Sequence, residues 1–231
     1  MRHFIAIFIM LLYVNISQGQ TYEIGPYIGG SNYIGDIGST QYVNPENLVV
    51  GGLFKWNRSN RHSFRLSVLH TTIDASDANS SDNRRIERDL AFENQITEVS
   101  LGLEYTFWEW NLHHFKKQLT PYLYTGLTGV FTDDKYLSNR TNTIITNDSK
   151  VVAAIPMVIG VKATLDTQWI FGVELGARYM FTDNFDGSTP EEFDGGEVYP
   201  HFGNQNTNDW YMFAGITVTY SFGRKPCYCN F

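Results

Sequence analysis

The sequence predicts an all-β fold: one eight-stranded antiparallel barrel that crosses a membrane, with a filled lumen, long loops at one rim and short turns at the other. Three observations predict it. Apolar residues recur at every second position over runs of about 10–13 residues, roughly twice the mean globular strand. The alternate row of those runs is small, hydroxylic or charged. Long and short connections follow one another in turn along the chain.

The last strand, 210–222, is the cleanest. Trp210, Met212, Ala214, Ile216, Val218, Tyr220 and Phe222 form one row; Tyr211, Phe213, Gly215, Thr217, Thr219 and Ser221 form the other. Residues 169–181 repeat the pattern, with Glu174 and Arg178 in the row opposite Trp169, Phe171, Val173, Leu175 and Tyr179. Residues 98–107 set Glu98, Ser100, Gly102 and Glu104 against Val99, Leu101, Leu103, Tyr105 and Phe107, and residues 155–165 set Lys162 against Ile155, Met157, Ile159 and Val161. Weaker alternation marks 22–30 (Glu23, Gly25, Tyr27), 48–57 (Lys55 against Leu48, Val50, Phe54) and 62–72 (Arg65 and Ser67 against Phe64, Leu66, Val68). Residues 121–131 are ambiguous; Tyr122, Tyr124, Gly126 and Thr128 are placed inward. A tilted strand of this length crosses a bilayer.

The polar rows together hold Glu23, Glu98, Glu104 and Glu174 with Lys55, Arg65, Lys162 and Arg178, four charges of each sign. An eight-stranded barrel is only wide enough inside to be filled by side chains. Charges enclosed there must pair or hydrogen-bond, so the expectation is a lumen sealed by ion pairs. The soluble rival, a lipocalin-like barrel or a sandwich, turns the apolar row inward. Against it stand the Trp, Tyr and Phe at the ends of the apolar rows, as in membrane girdles, and polar rows rich in Gly and poor in Lys and Asp.

Composition agrees. Charged residues make up 18% and aromatics 15% of 231 residues, which excludes a disordered chain. A net charge of −7 argues against nucleic acid as the main partner. Residues 1–19 read as a signal peptide: Arg2 and His3, an apolar run Phe4–Val14 too short to span, then Ser17-Gln18-Gly19. No other stretch holds about twenty consecutive apolar residues, which excludes a helical membrane protein. The organisation expected is a leader at 1–19, a barrel at 20–223 and a tail at 224–231, integral to an outer membrane and in contact with its lipids.

Long connections are expected at 31–46, 74–94, 132–150 and 182–208, short ones near 57–61 and 165–168, and a medium one at 108–119. By the usual asymmetry the short turns and both chain ends are periplasmic. The medium turn, with Trp108, Trp110, Lys116 and Lys117, is large and aromatic for a hairpin; it rests on the membrane interface or touches a periplasmic partner.

No catalytic signature is present, and the expectation is a non-enzymatic protein without cofactor or metal. His70 lies near Ser67 and Asp74 in sequence, as a lipid-modifying site would need, but a rim histidine is the plainer reading. Asp183-Asn184-Phe185-Asp186-Gly187 partly matches the start of a calcium loop and lacks the closing Glu; an Asp/Gly turn is the simpler account. His113-His114 is a weak metal pair. Cys227 and Cys229 are the only cysteines; a strained mutual disulfide, free thiols and a bond to a partner all stay open.

Three stretches resemble PorG-like proteins, outer-membrane barrels of the Bacteroidetes type IX secretion system. They are the mature start from Tyr22 through Gly35-Asp36, the segment Arg178–Asp186, and the cysteine-containing end, Lys225-Pro226-Cys227-Tyr228-Cys229-Asn230-Phe231. The Cys-Tyr-Cys pair departs from the family's tail and leaves open which cysteine matters. The resemblance implies a structural role in protein secretion and gliding motility: the barrel would tether a periplasmic ring of PorK-type lipoprotein and PorN-type protein. It points to Cys227, Tyr228, Cys229 and Phe231, with Trp110, Lys116 and Lys117 on the medium turn, as the partner-binding surface, with a disulfide to the ring through Cys227 or Cys229 as one expectation. The alternative is a surface barrel that binds or adheres through its outer loops.

Overall fold

The structure, a computed structural model, describes residues 21–39, 41, 43–113, 116–138, 141–190, 199–204 and 208–223. The leader expected at 1–19 and the tail at 224–231 lie outside the described residues.

Eight antiparallel strands follow chain order around a closed barrel: β1 (Thr21–Ile34), β2 (Asn47–Asn57), β3 (His62–Ser76), β4 (Ala91–Thr106), β5 (Leu119–Leu137), β6 (Ile144–Thr164), β7 (Trp169–Met180) and β8 (Trp210–Phe222). β8 returns to β1 in a register running from Tyr22↔Phe222 to Ile34↔Trp210. Closure leaves the membrane zone without an unpaired edge, the condition for β structure in lipid.

Side-chain alternation sorts the two faces. Ile24, Ile28, Leu66, Val68, Leu101, Leu103, Leu127, Ile159, Val173 and Ile216 point outward, with Leu101 62% and Leu127 70% exposed. In water each such side chain forgoes about 1.5–3 kcal/mol of burial; a belt of them is stable only against hydrocarbon. Aromatic pairs bound the belt on both sides. Trp169–Tyr220 (5.3 Å between centroids) and Tyr22–Phe54 (5.7 Å) lie at the short-turn rim, and Tyr179–Trp210 (4.8 Å) at the long-loop rim.

Several strands outrun the lengths expected from sequence. The connection expected at 132–150 is mostly a hairpin, because β5 and β6 stay paired up to Leu137↔Ile144 with a bulge at Asp134/Lys135. The one expected at 74–94 keeps β3 and β4 paired to Ser76↔Ala91 and carries a short helix α1 (Asn83–Arg88), whose first turn is capped by the Asp82 carboxylate accepting from Arg84 N at 3.0 Å. Beyond the bilayer a strand no longer needs an apolar outer row, so the period-2 signal ends where lipid ends and the ladder does not. The short turns at 58–61 and 165–168 match expectation.

Leu101→Arg, at mid-belt, should cost about 2–4 kcal/mol of folding stability in lipid vesicles, by denaturant titration, and Thr141→Arg in the β5–β6 turn almost nothing. Equal effects at the two positions would put Leu101 in water and the sheet inside out.

Candidate functional site

All eight expected lumen charges point inward, and none is more than 5% exposed. Arg65 on β3 reaches across to Glu174 on β7 with two parallel bonds, Nη1–Oε2 at 2.7 Å and Nη2–Oε1 at 2.8 Å. Arg178 on β7 holds Glu98 on β4 through Nη2 at 2.8 Å and Nε at 3.1 Å. Glu104 on β4 takes Lys162 at 2.6 Å and Lys55 at 2.7 Å. Glu23 faces neutral donors instead, Asn57 Nδ2 at 2.9 Å and Thr219 Oγ1 at 3.0 Å. The even count of charges therefore resolves unevenly: one carboxylate serves two lysines and another none.

Tyrosines complete the network. Tyr122 donates to Glu174 Oε2 at 2.6 Å and Tyr211 to Glu98 Oε2 at 2.7 Å. Aromatic faces cover the cations, with Arg65 over Tyr124 (4.7 Å) and Arg178 over Phe213 (4.9 Å). Bidentate geometry and satisfied acceptors are what make buried ion pairs tolerable.

Toward the long-loop rim the lumen becomes an ordinary apolar core. Leu69, Ile73, Phe92, Ile96 and Val130 point inward there, a change from charge to hydrocarbon that the sequence rows did not suggest. Residues 181–190 fold down over this core. Phe185 is fully buried and packs on Tyr33, Phe92 and Tyr211. Its carbonyl accepts from Asn94 Nδ2 at 3.1 Å, and its N–H donates to Asp209 Oδ2 at 3.0 Å. Asn184 Nδ2 donates to Asp134 Oδ1 (3.0 Å) and the Lys135 carbonyl (3.2 Å). Asp183-Asn184-Phe185-Asp186-Gly187 is thus a stopper, with Gly187 at φ +86 turning the chain back. Among the described residues no group of three or more His, Cys, Asp or Glu is arranged to hold a metal.

Two carboxyls, Asp186 within this stopper and Asp209 beneath it, have no cation against them among the described residues. Asp209 accepts from the Tyr33 hydroxyl, and Asp186 Oδ1 from Ser188 N at 3.0 Å. Burial, then repulsion from Asp186, pushes Asp209 well above the ordinary carboxylate range; burial, with Asp36 adding to it, pushes Asp186 up to about 6.

The opposite mouth is closed by residues 107–113 and 116–118. Trp110, 3% exposed, packs with Leu112 and Ile170 and lies 4.7 Å from the Lys162 ammonium. Its backbone N–H donates to the Asn60 carbonyl at 2.8 Å. Asn111 and Gln118 exchange two hydrogen bonds, of 2.8 and 2.7 Å, and Gln118 N donates to Thr164 Oγ1 at 2.8 Å. Trp110 therefore seals the barrel and is not displayed for a partner, which sequence reasoning missed because an aromatic in a turn looks the same whether it points in or out. Lys116 and Lys117 are exposed on the same turn. Cys227, Tyr228, Cys229, Phe231 and His114 lie outside the described residues.

His70 and Ser67 point to opposite faces of β3, His70 outward and Ser67 into the lumen, so the two do not converge. His70 Nδ1 instead lies 2.9 Å from Thr97 Oγ1 on the outer wall.

A family profile described as "Domain of unknown function (DUF6089)" matches residues 1–231. No curated protein matches the chain. Among solved structures the chain is similar to the N-terminal β-barrel domain of Pseudomonas aeruginosa OprF (TM-score 0.47, 13% identity, 89% of this chain and 98% of that one). It is also similar to Neisserial surface protein A (0.46, 8%, 89% and 98%) and to Pseudomonas aeruginosa OprG (0.45, 9%, 87% and 95%).

Arg178→Ala leaves Glu98 buried without its cation and should cost about 3–5 kcal/mol, measured by the temperature at which the heat-modifiable band converts in electrophoresis; an unchanged temperature would mean that water reaches Glu98. The stopper carries a pH signature. An unfolded Asp loses its proton near pH 4, whereas folded Asp186 keeps it to about 6. The folded state binds more protons in that window, so stability should fall as pH rises from about 4 to 6. Asp186→Asn should flatten the fall, read by protease cleavage within 181–190; an unaltered pH profile would show that Asp186 is solvated.

Proposed function

The chain belongs to the DUF6089 family, and we propose that it acts as a sealed outer-membrane barrel tethering the periplasmic ring of the type IX secretion machinery. The observation that carries this reading is the closure of both mouths around a lumen filled with paired charges. A lumen so filled leaves no through-passage or enclosed cavity among the described residues, which favours anchorage as its work. The aromatic-bounded belt supplies the membrane anchor, and strands that start and end at the short-turn rim deliver both chain ends to one side. By the loop asymmetry of such barrels that side is periplasmic. The three stretches that resemble PorG-like proteins supply the identity of the ring, built of PorK- and PorN-type components.

On this reading the exposed Lys116 and Lys117 and the tail with Cys227, Tyr228, Cys229 and Phe231 meet the ring. Trp110 contributes indirectly by holding the turn in place. An exported chain with its leader at 1–19 removed is implied, and no enzymatic step.

Deleting the gene should stop export of cargo bearing carboxy-terminal sorting signals and, in gliding species, movement. Ring proteins should co-purify with the full chain from detergent-solubilised membranes and be lost when 224–231 is removed. Normal secretion in the deletant would sink the proposal. Reductant-sensitive co-purification would assign a cysteine to the contact.

A further inference from the structure

The barrel wall forks near its long-loop rim. Pairing between β4 and β5 stops at Thr97↔Phe131, yet β4 continues to Ala91 against β3, and β5 continues to Leu137 against β6. A side chain closes the inner side of the fork. Asn94 accepts from Asp133 N at 3.1 Å and donates to the Asp133 carbonyl at 3.3 Å, standing in for the missing ladder. On the outer side the fork stays open as a hollow of about 300 Å3. One wall carries His70, Gln95 and Thr97 and the other Phe131, Asp133 and Ser149.

The position of this hollow is informative. It lies at the upper limit of the lipid-facing belt, where outward residues change from Val99 and Leu101 to Thr97 and Gln95 on β4, and from Val151 to Ser149 on β6. Directly below Phe131 and Val151 the next outward pair is Gly129↔Ala153. A Cβ added at Gly129 would meet nothing within 4 Å, so the outer surface just below the fork is open and lacks a side chain at this position. An amphiphile fits this shape, its chain on the open surface and its head in the fork.

The polar groups indicate what kind of head. Gln95 offers an amide donor and acceptor, Ser149 a hydroxyl with both roles, and Asp133 an acceptor. His70 and Thr97 are joined at 2.9 Å and together present one further donor or acceptor. Phe131 is half exposed and offers a ring face. Lys150 also lines the hollow, and its ammonium is already held by Asp134 and by the Asn184 carbonyl at 3.1 Å. A phosphate would therefore meet the Asp133 carboxylate and an ammonium already neutralised by Asp134, whereas adjacent sugar hydroxyls, each both donor and acceptor, match the set. We propose that the β4/β5 fork binds the sugar headgroup of an outer-leaflet glycolipid, with an acyl chain lying over Gly129 and Ala153. The site is independent of the tethering surface, which lies at the other rim.

The test is native mass spectrometry of the full chain in detergent, titrated separately with monoglucosyl diacylglycerol, phosphatidylglycerol and phosphatidylethanolamine of identical acyl chains. The glucolipid should be retained about tenfold more tightly than either phospholipid. Gln95→Ala combined with Ser149→Ala should reduce it to the phospholipid level, and Gly129→Leu should weaken it by filling the open surface. All these positions face outward, and folding of each variant is checked by heat-shifted mobility. Equal retention of the three lipids, preference for phosphatidylglycerol, or indifference to both variants would overturn the assignment. So would methyl glucoside competing as well as the glucolipid, because the ligand would then be a soluble sugar.

Discussion

Cross-lumen ion pairing is the constraint that the rest of this barrel obeys. Arg65–Glu174 joins β3 to β7, Arg178–Glu98 joins β7 to β4, and Glu104 on β4 gathers lysines from β2 and β6. None of these pairs links neighbouring strands. Each spans the interior and can form only when the sheet has closed with every strand in its final register. A slip of one residue would turn a strand's charges toward lipid and its Leu or Val inward, at about 2–4 kcal/mol for each Arg or Lys carried to mid-bilayer. Net stabilisation by buried ion pairs is often near zero against a packed apolar core. Their value here lies in specificity: the charges penalise every register except one.

The ends of the lumen follow from the same constraint. Charge–charge attraction is strong only where water is kept out, so a charged interior needs closed mouths. Trp110 supplies one closure, under Lys162, and Phe185 the other, above an apolar layer of Leu69, Ile73 and Phe92. The two stoppers differ chemically. Trp110 sits on a turn pinned by neutral hydrogen bonds, whereas Phe185 is held through Asp209, a carboxyl whose burial raises it well above the ordinary carboxylate range. The closure at the long-loop rim is therefore the one tied to proton concentration.

Strand length beyond the bilayer has a local consequence. Because β4 and β5 each follow a different neighbour above Thr97 and Phe131, the wall opens there, and Asn94 with the Phe185 loop fills the gap from inside. The same fork explains why the long-loop rim carries a polar hollow on its outer wall.

The sequence by itself determined the fold class, the number of strands, which row of each strand meets lipid and which eight charges are enclosed. Those are period-2 properties, written locally by the contrast between hydrocarbon and a packed lumen. It did not determine the strand ends above the membrane, since water on both sides removes the contrast on which periodicity depends; 132–150 reads as loop and is mostly a hairpin. Nor did it determine which charge meets which. Glu174 meets Arg65, 109 positions away, rather than Arg178 on its own strand, because closure sets β3 across the lumen from β7 so that the two long side chains reach each other, while four residues along a strand stand about 13 Å apart. The inward turn of Trp110 and Phe185, and the meeting of His70 with Thr97 and Gln95, were likewise decided only by closure, which brings together residues that no local pattern relates.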